Sequence, residues 1–114
     1  MPRLRRSVSI LPLVLLAAAV LQPASATETP TLALAIKHQT FVPAKLTIPA
    51  GRVVKILINN EDTFPAEFES YDFNREKVIP GTSRVPVFVG PLRPGTYKFF
   101  NDFHPASTGS LIVK

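Results

Sequence analysis

An all-β fold, a Greek-key sandwich or barrel of about seven strands, is what this chain of 114 residues predicts. Three observations predict it. Proline and glycine break the chain about every ten residues beyond residue 27. No stretch sustains a 3.6-residue apolar period through three helical turns. The segments between breaks are short and rich in β-branched residues, and several alternate apolar with polar.

Thr31 to Ile36 places Leu32, Leu34 and Ile36 on one face and reads as the first strand. A second extended stretch starts at Phe41-Val42-Pro43 and ends at Leu46-Thr47-Ile48, followed by a Pro49-Ala50-Gly51 turn. Val53 to Ile58 is strongly β-branched, as a central strand would be, and Asn59-Asn60-Glu61-Asp62 stops it. Ala66 to Ser70 reads as a short strand. Tyr71 to Gly81 is the least regular stretch, with Asn74-Arg75-Glu76-Lys77 inside it. Arg84 to Val89 alternates Val85, Val87 and Val89. After the Pro94-Gly95 turn come Thr96 to Phe100 and finally Gly109 to Val113. The short connections predict antiparallel pairing throughout.

The first 26 residues read as a secretory signal peptide, leaving residues 27–114 as the folded domain. Arg3, Arg5 and Arg6 form its basic start, and Ala24-Ser25-Ala26 its cleavage site. The apolar run from Ile10 to Leu21 is about 12 residues, short of the ~20 that span a bilayer. Export to the periplasm, with no transmembrane segment in the mature chain, is the expectation. Three of the 13 basic residues and none of the 8 acidic ones lie in this leader, so the remainder carries only +2. Its basic residues are scattered, which disfavours a nucleic-acid partner. Cysteine is absent, which excludes disulfides, a thiolate nucleophile, Cys-ligated zinc and iron–sulfur clusters. No nucleophile elbow surrounds Ser70, Ser83, Ser107 or Ser110, and no glycine-rich loop is built to cradle phosphate.

Three segments together resemble the cupredoxin family. They are Phe41-x-Pro43-x-x-Leu46-Thr47-Ile48-Pro49-Ala50-Gly51, then Val53 to Asn60 with Asp62, then Pro94-Gly95-Thr96-Tyr97-x-Phe99. The third continues through Asn101-x-x-His104-Pro105 and Gly109-x-Leu111-Ile112-Val113, similar to the hairpin whose Cys-x-x-His-x-x-Met loop wraps copper in that family. The blue-copper ligands do not carry over. The thiolate position falls on Asn101, the methionine on Ser107 or Thr108, and the first histidine on Ala66 or Glu67; His104 alone survives.

Glu67-Phe68-Glu69-Ser70, Arg75-Glu76-Lys77-x-x-Pro80-Gly81 and Asn101-Asp102-Phe103-His104 resemble EfeO-type cupredoxin-like domains. They also resemble the small periplasmic cupredoxin-like component of FtrABCD-type ferrous iron uptake systems. That resemblance implies acidic ligands for copper or iron and work beside an iron permease complex or other transport components of the periplasm and membrane. EfeO-type domains carry Cys where this chain has Phe41 and Asn101, so the implied site is oxygen-rich. Glu67, Glu69, Glu76, Asp102 and His104 are the candidate metal ligands, and carboxylates with one imidazole suit Fe(II), Fe(III), Cu(II), Mn(II) or Zn(II).

Each candidate has a structural alternative. Strand parity sends Glu67 and Glu69 to solvent if Phe68 faces the core. Asp102 suits a turn, His104 a loop hydrogen bond, Glu76 an ion pair with Arg75 or Lys77, and His38 an exposed strand end. Consecutive Phe99 and Phe100 cannot share one core, so an exposed Phe100 or Phe103 would mark a docking patch. The resulting expectation is a periplasmic cupredoxin-like binder of copper or iron, an accessory of ferrous iron uptake, with enzymatic activity left open. Assistance to Fe(II) oxidation is the one activity left open. The alternative is a metal-free adaptor of the same fold that docks partner proteins.

Overall fold

The computed structural model describes residues 2–19 and 28–114. Residues 2–19 form no helix or strand and their side chains stand exposed. The end of the apolar leader run and Ala24-Ser25-Ala26 lie outside the described residues. Among the described residues, no helix is long and apolar enough to cross a membrane.

The described residues form nine strands: β1 (Thr31–Lys37), β2 (Thr40–Val42), β3 (Lys45–Ile48), β4 (Val54–Asn60), β5 (Ala66–Ser70), β6 (Arg75–Ile79), β7 (Arg84–Val89), β8 (Gly95–Asn101) and β9 (His104–Val113). They form two sheets, one of order β2-β1-β4-β7 and one of order β3-β9-β8-β5-β6. The all-β sandwich is therefore as the sequence predicts, with two more strands than expected. The stretch from Phe41 to Ile48 divides into β2 and β3, which belong to different sheets. The irregular stretch after Tyr71 contains β6.

The expectation of wholly antiparallel pairing is corrected. β1 runs parallel to β4, and β3 runs parallel to β9. Short connections misled because β2 and β3 carry the chain out of one sheet and into the other before β4 returns. The nearest strand in sequence is then not the neighbour in space.

Alternation fills the space between the sheets. Leu34, Ile36, Val54, Ile56, Ile58, Val87 and Val89 point inward from one sheet. Leu46, Ile48, Phe68, Ile79, Phe99, Leu111 and Val113 meet them from the other. Phe41 stands edge-on to Phe99 with ring centroids 5.0 Å apart, and Phe99 lies 5.0 Å from Phe68. Gly109 is where the Phe99 ring lies against the β9 backbone; a Cβ there would collide with the ring.

Two devices fix one end of the sandwich. His38 and Gln39 take φ of 48° and 64° in the tight turn between β1 and β2, the conformation that suits a two-residue hairpin. Asp62 accepts the N–H of each at 2.8 Å, which holds that turn. Asn60 is fully buried; its Nδ2 donates to the carbonyls of Phe64, Ile79 and Pro80 at 2.9, 3.1 and 3.3 Å. Its Oδ1 accepts the Asp62 N–H at 3.1 Å. The residues that stop β4 thus tie it to β6 and to the loop before β5.

Candidate metal centre

β5 lies inside its sheet, flanked by β8 and β6. Phe68 faces the core, so parity puts Glu67 and Glu69 on the outer face, as alternation requires. β6 pairs with β5 in a register that sets Glu76 opposite Glu69 and Val78 opposite Glu67. One carboxylate oxygen from each of Glu67, Glu69 and Glu76 lies within 4.8 Å of the others. The structure thus gathers three of the five candidate ligands by register alone.

Parity and burial part company at Glu67. Although it points to the outer face, only 7% of it is exposed. The Asp102 N–H donates to its backbone carbonyl at 2.9 Å. The Glu67 Oε1 is buried with no hydrogen-bond partner. A hydrogen bond with the Glu76 carboxyl, followed by burial and the charges of Glu76, Asp102 and Glu69, pushes the Glu67 pKa up to about 7. Burial first, then the charges of Asp102 and Glu76, raises Glu69 as well. When both Glu67 and Glu76 are ionised no donor remains between them. A second group, a proton or a cation, is what such an oxygen lacks.

Among the described residues no cation of the chain pairs with these carboxylates. Among the described residues the only ion pair joins Lys37 to Glu61 at 3.1 Å. The Arg75 guanidinium donates to the carbonyls of Phe88 and Asn74, so it does not pair with Glu76.

Asp102 and His104 sit differently. Asp102 is exposed in the turn between β8 and β9, near enough for its charge to raise both Glu67 and Glu69. His104 opens β9 opposite Asn101, which also pairs with Phe68. Cross-strand partners share a face, so His104 stands on the side of Asn101 and Phe68, away from the three glutamates. His38 is held in the β1–β2 turn.

The carboxamide oxygen of Asn101 is engaged in structure. This buried Oδ1 accepts the Glu67 N–H at 3.0 Å and the Phe103 N–H at 3.1 Å. The position that resembles the thiolate of a blue-copper site is thus a clamp between β5 and the β8–β9 turn. With one imidazole and a committed carboxamide, this end does not fit the blue-copper ion. The three-carboxylate cluster does fit a hard cation. Tyr71, which the sequence reading passes over, stands beside it: its ring centroid is 5.2 Å from that of Phe100, the register partner of Glu69. The charge of Glu69 is the first cause of a raised phenol pKa. The signal in the sequence was its spacing, two residues after Glu69 and four after Glu67.

A pH prediction follows from the raised carboxyls. The native state holds the Glu67 proton up to about 7, whereas the unfolded chain loses it near the ordinary 4.5. The unfolded state therefore binds fewer protons in that window, and stability falls as pH rises through it, levelling off above. Thermal melts across the window are expected to show this slope, and Glu67→Gln to flatten it. A slope unchanged in the variant would place the proton elsewhere.

Comparison with known proteins agrees with this architecture. A family model for the cupredoxin-like domain matches residues 10–113. Uncharacterized protein RP394 of Rickettsia prowazekii (strain Madrid E) is 34% identical over 80 residues, which cover 70% of this chain. The chain spans 64% of the length of that relative. Auracyanin A, a blue copper protein of Chloroflexus aurantiacus, superposes with a TM-score of 0.65 at 17% identity, over 76% of this chain and all of its own. A purple cupredoxin from Nitrosopumilus maritimus gives 0.55 at 23% identity, over 72% of this chain and 98% of its own. The metal-binding domain of the Cu(I)-exporting ATPase CopA of Streptococcus pneumoniae D39, solved with Cu(I), gives 0.64 at 14% identity, over 74% and 84%. At these identities the structures speak for the fold, and the family match speaks for descent: the chain belongs to the cupredoxin-like domain family.

Proposed function

We propose that this is an exported, periplasmic cupredoxin-like protein that binds copper or iron at Glu67, Glu69 and Glu76, with Asp102 at the rim of the site. Its role is that of an accessory of ferrous iron uptake, working beside an iron permease complex. The observation that carries the metal site is Glu67, buried with its Oε1 unpartnered and with one carboxylate oxygen within 4.8 Å of an oxygen of Glu69 and of Glu76. Mutual repulsion in such a cluster is relieved when a cation seats among the oxygens, and all-oxygen donors suit hard or borderline ions. The bound ion would supply Lewis-acid or one-electron chemistry. The chain supplies three oxygens fixed by strand register and an open outer side. The copper named for two of the structural neighbours, auracyanin A and the CopA domain, makes copper a natural candidate. The iron role rests on the resemblance of the Glu67, Arg75 and Asn101 segments to iron-uptake components.

Calorimetric titration of the purified protein with Cu(II), Fe(II) and Zn(II) tests the site. One saturable site is expected, weakened at least tenfold, or about 1.4 kcal/mol, by Glu67→Gln. His104→Ala is expected to leave it within about threefold, because His104 stands on the other side of the sheet. Equal weakening by both variants would move the site to the β8–β9 end. The transport role is tested separately, by growth on limiting iron with and without the gene.

A further inference from the structure

We propose that the cluster takes ferric iron, and that the Tyr71 phenolate is one of its ligands. This rests on the metal reading above and narrows it to one ion and one further residue. The donor set is wholly oxygen: the chain has no cysteine, and its single methionine is Met1. Nothing near the glutamates is soft enough to favour Cu(I), whereas three carboxylates balance the charge of a hard trivalent ion. Glu67, buried with one carboxylate oxygen unpartnered, is the member of the cluster that most needs a cation beside it.

Tyr71 follows β5 directly, at the start of the turn that leads to β6. Its ring leans on Phe100, the cross-strand partner of Glu69, at a centroid distance of 5.2 Å. Yet 78% of the residue is exposed, and among the described residues its hydroxyl has no hydrogen-bond partner. A tyrosine anchored by its ring beside an acidic cluster, with its oxygen uncommitted, is free to turn that oxygen onto the ion. On binding, the phenol O–H bond breaks and an Fe–O bond forms. The proton passes to bulk water, and the iron stays ferric throughout.

The chain has only two tyrosines, which makes the test clean. The other, Tyr97, donates its hydroxyl to the Arg93 carbonyl at 2.8 Å and half-buries its ring beside Phe73. Ferric nitrilotriacetate is added to the wild-type protein, Tyr71→Phe and Tyr97→Phe, and binding is followed together with the visible spectrum. The expected result is a phenolate-to-iron charge-transfer band in wild type and Tyr97→Phe. In Tyr71→Phe the band is lost and ferric affinity falls about tenfold. The phenylalanine keeps the stack on Phe100, so folding is not at issue. Ferric binding without colour, or a band that survives in Tyr71→Phe, overturns the tyrosine assignment and leaves the glutamate site standing. Tight divalent binding with no ferric binding overturns the choice of ion. No binding of ferric, ferrous or cupric ion overturns both this inference and the metal reading beneath it.

Discussion

Replacing Phe99 with alanine is expected to lower stability by about 3–5 kcal/mol, a large part of what a domain of this size holds. Phe99 is fully buried and stands 5.0 Å, ring to ring, from both Phe41 and Phe68. It therefore joins an aromatic side chain of each sheet, and β9 has been cut to glycine at Gly109 to receive it. Truncation removes the ring's buried area, opens a cavity between the layers and ends both aromatic pairings. Neighbouring strands are held at fixed spacing by their ladders, so collapse into the cavity is limited. The matched control is Phe100→Ala on the outer face, where the side chain is only partly buried and one aromatic contact, with Tyr71, is lost, so a clearly smaller loss is expected. Urea unfolding of both variants measures the contrast. Comparable losses would mean that the two phenylalanines do not face opposite sides as described.

Asn60→Asp is the second large effect, about 3 kcal/mol or more at neutral pH. The side chains are nearly the same size, so packing is preserved and the change is one of hydrogen-bond polarity. The Asn60 Nδ2 faces the carbonyl oxygens of Phe64, Ile79 and Pro80. A carboxylate in its place sets a buried charge against three acceptors and supplies no donor. Acidification returns one proton to the aspartate, and with it one donor, so the loss should shrink toward low pH. Guanidinium unfolding at neutral and acid pH tests this. A loss that does not change with pH would point to a packing defect instead.

Much of the fold was legible because alternation is legible. Leu34 and Ile36, Val85 to Val89, and Leu111 with Val113 declare both a strand and its inner face. β6 stayed hidden because Arg75, Glu76, Lys77 and Val78 are all exposed at the sheet edge, and only Ile79 reaches the core. An edge strand needs no apolar alternation, and charge there discourages pairing with other chains. The parallel pairs stayed hidden for a different reason: in-out parity says which way a side chain points and is silent on which strand lies alongside. The same gap governs the site. Glu67, Glu69 and Glu76 could each be named from composition and resemblance. That Glu76 lies opposite Glu69, and that Glu67 is covered while pointing outward, follows from the β5–β6 register. His104 was tied to the acids by its nearness in sequence to Asp102. The hairpin register separates them, since Asp102 occupies the turn and His104 follows Asn101 to the opposite face.

The pairing of β3 with β9 has a consequence for how the chain comes to be folded. Among the described residues, 45–48 find their sheet neighbour in residues 110–113, far along the chain. The sheet therefore cannot be completed until residues 110–113 have joined it. Such distant closures slow folding, to milliseconds or seconds in sandwiches of this kind. Until then the two strand edges that will meet stay open, so β3 is the strand most exposed to wrong pairing while the domain forms.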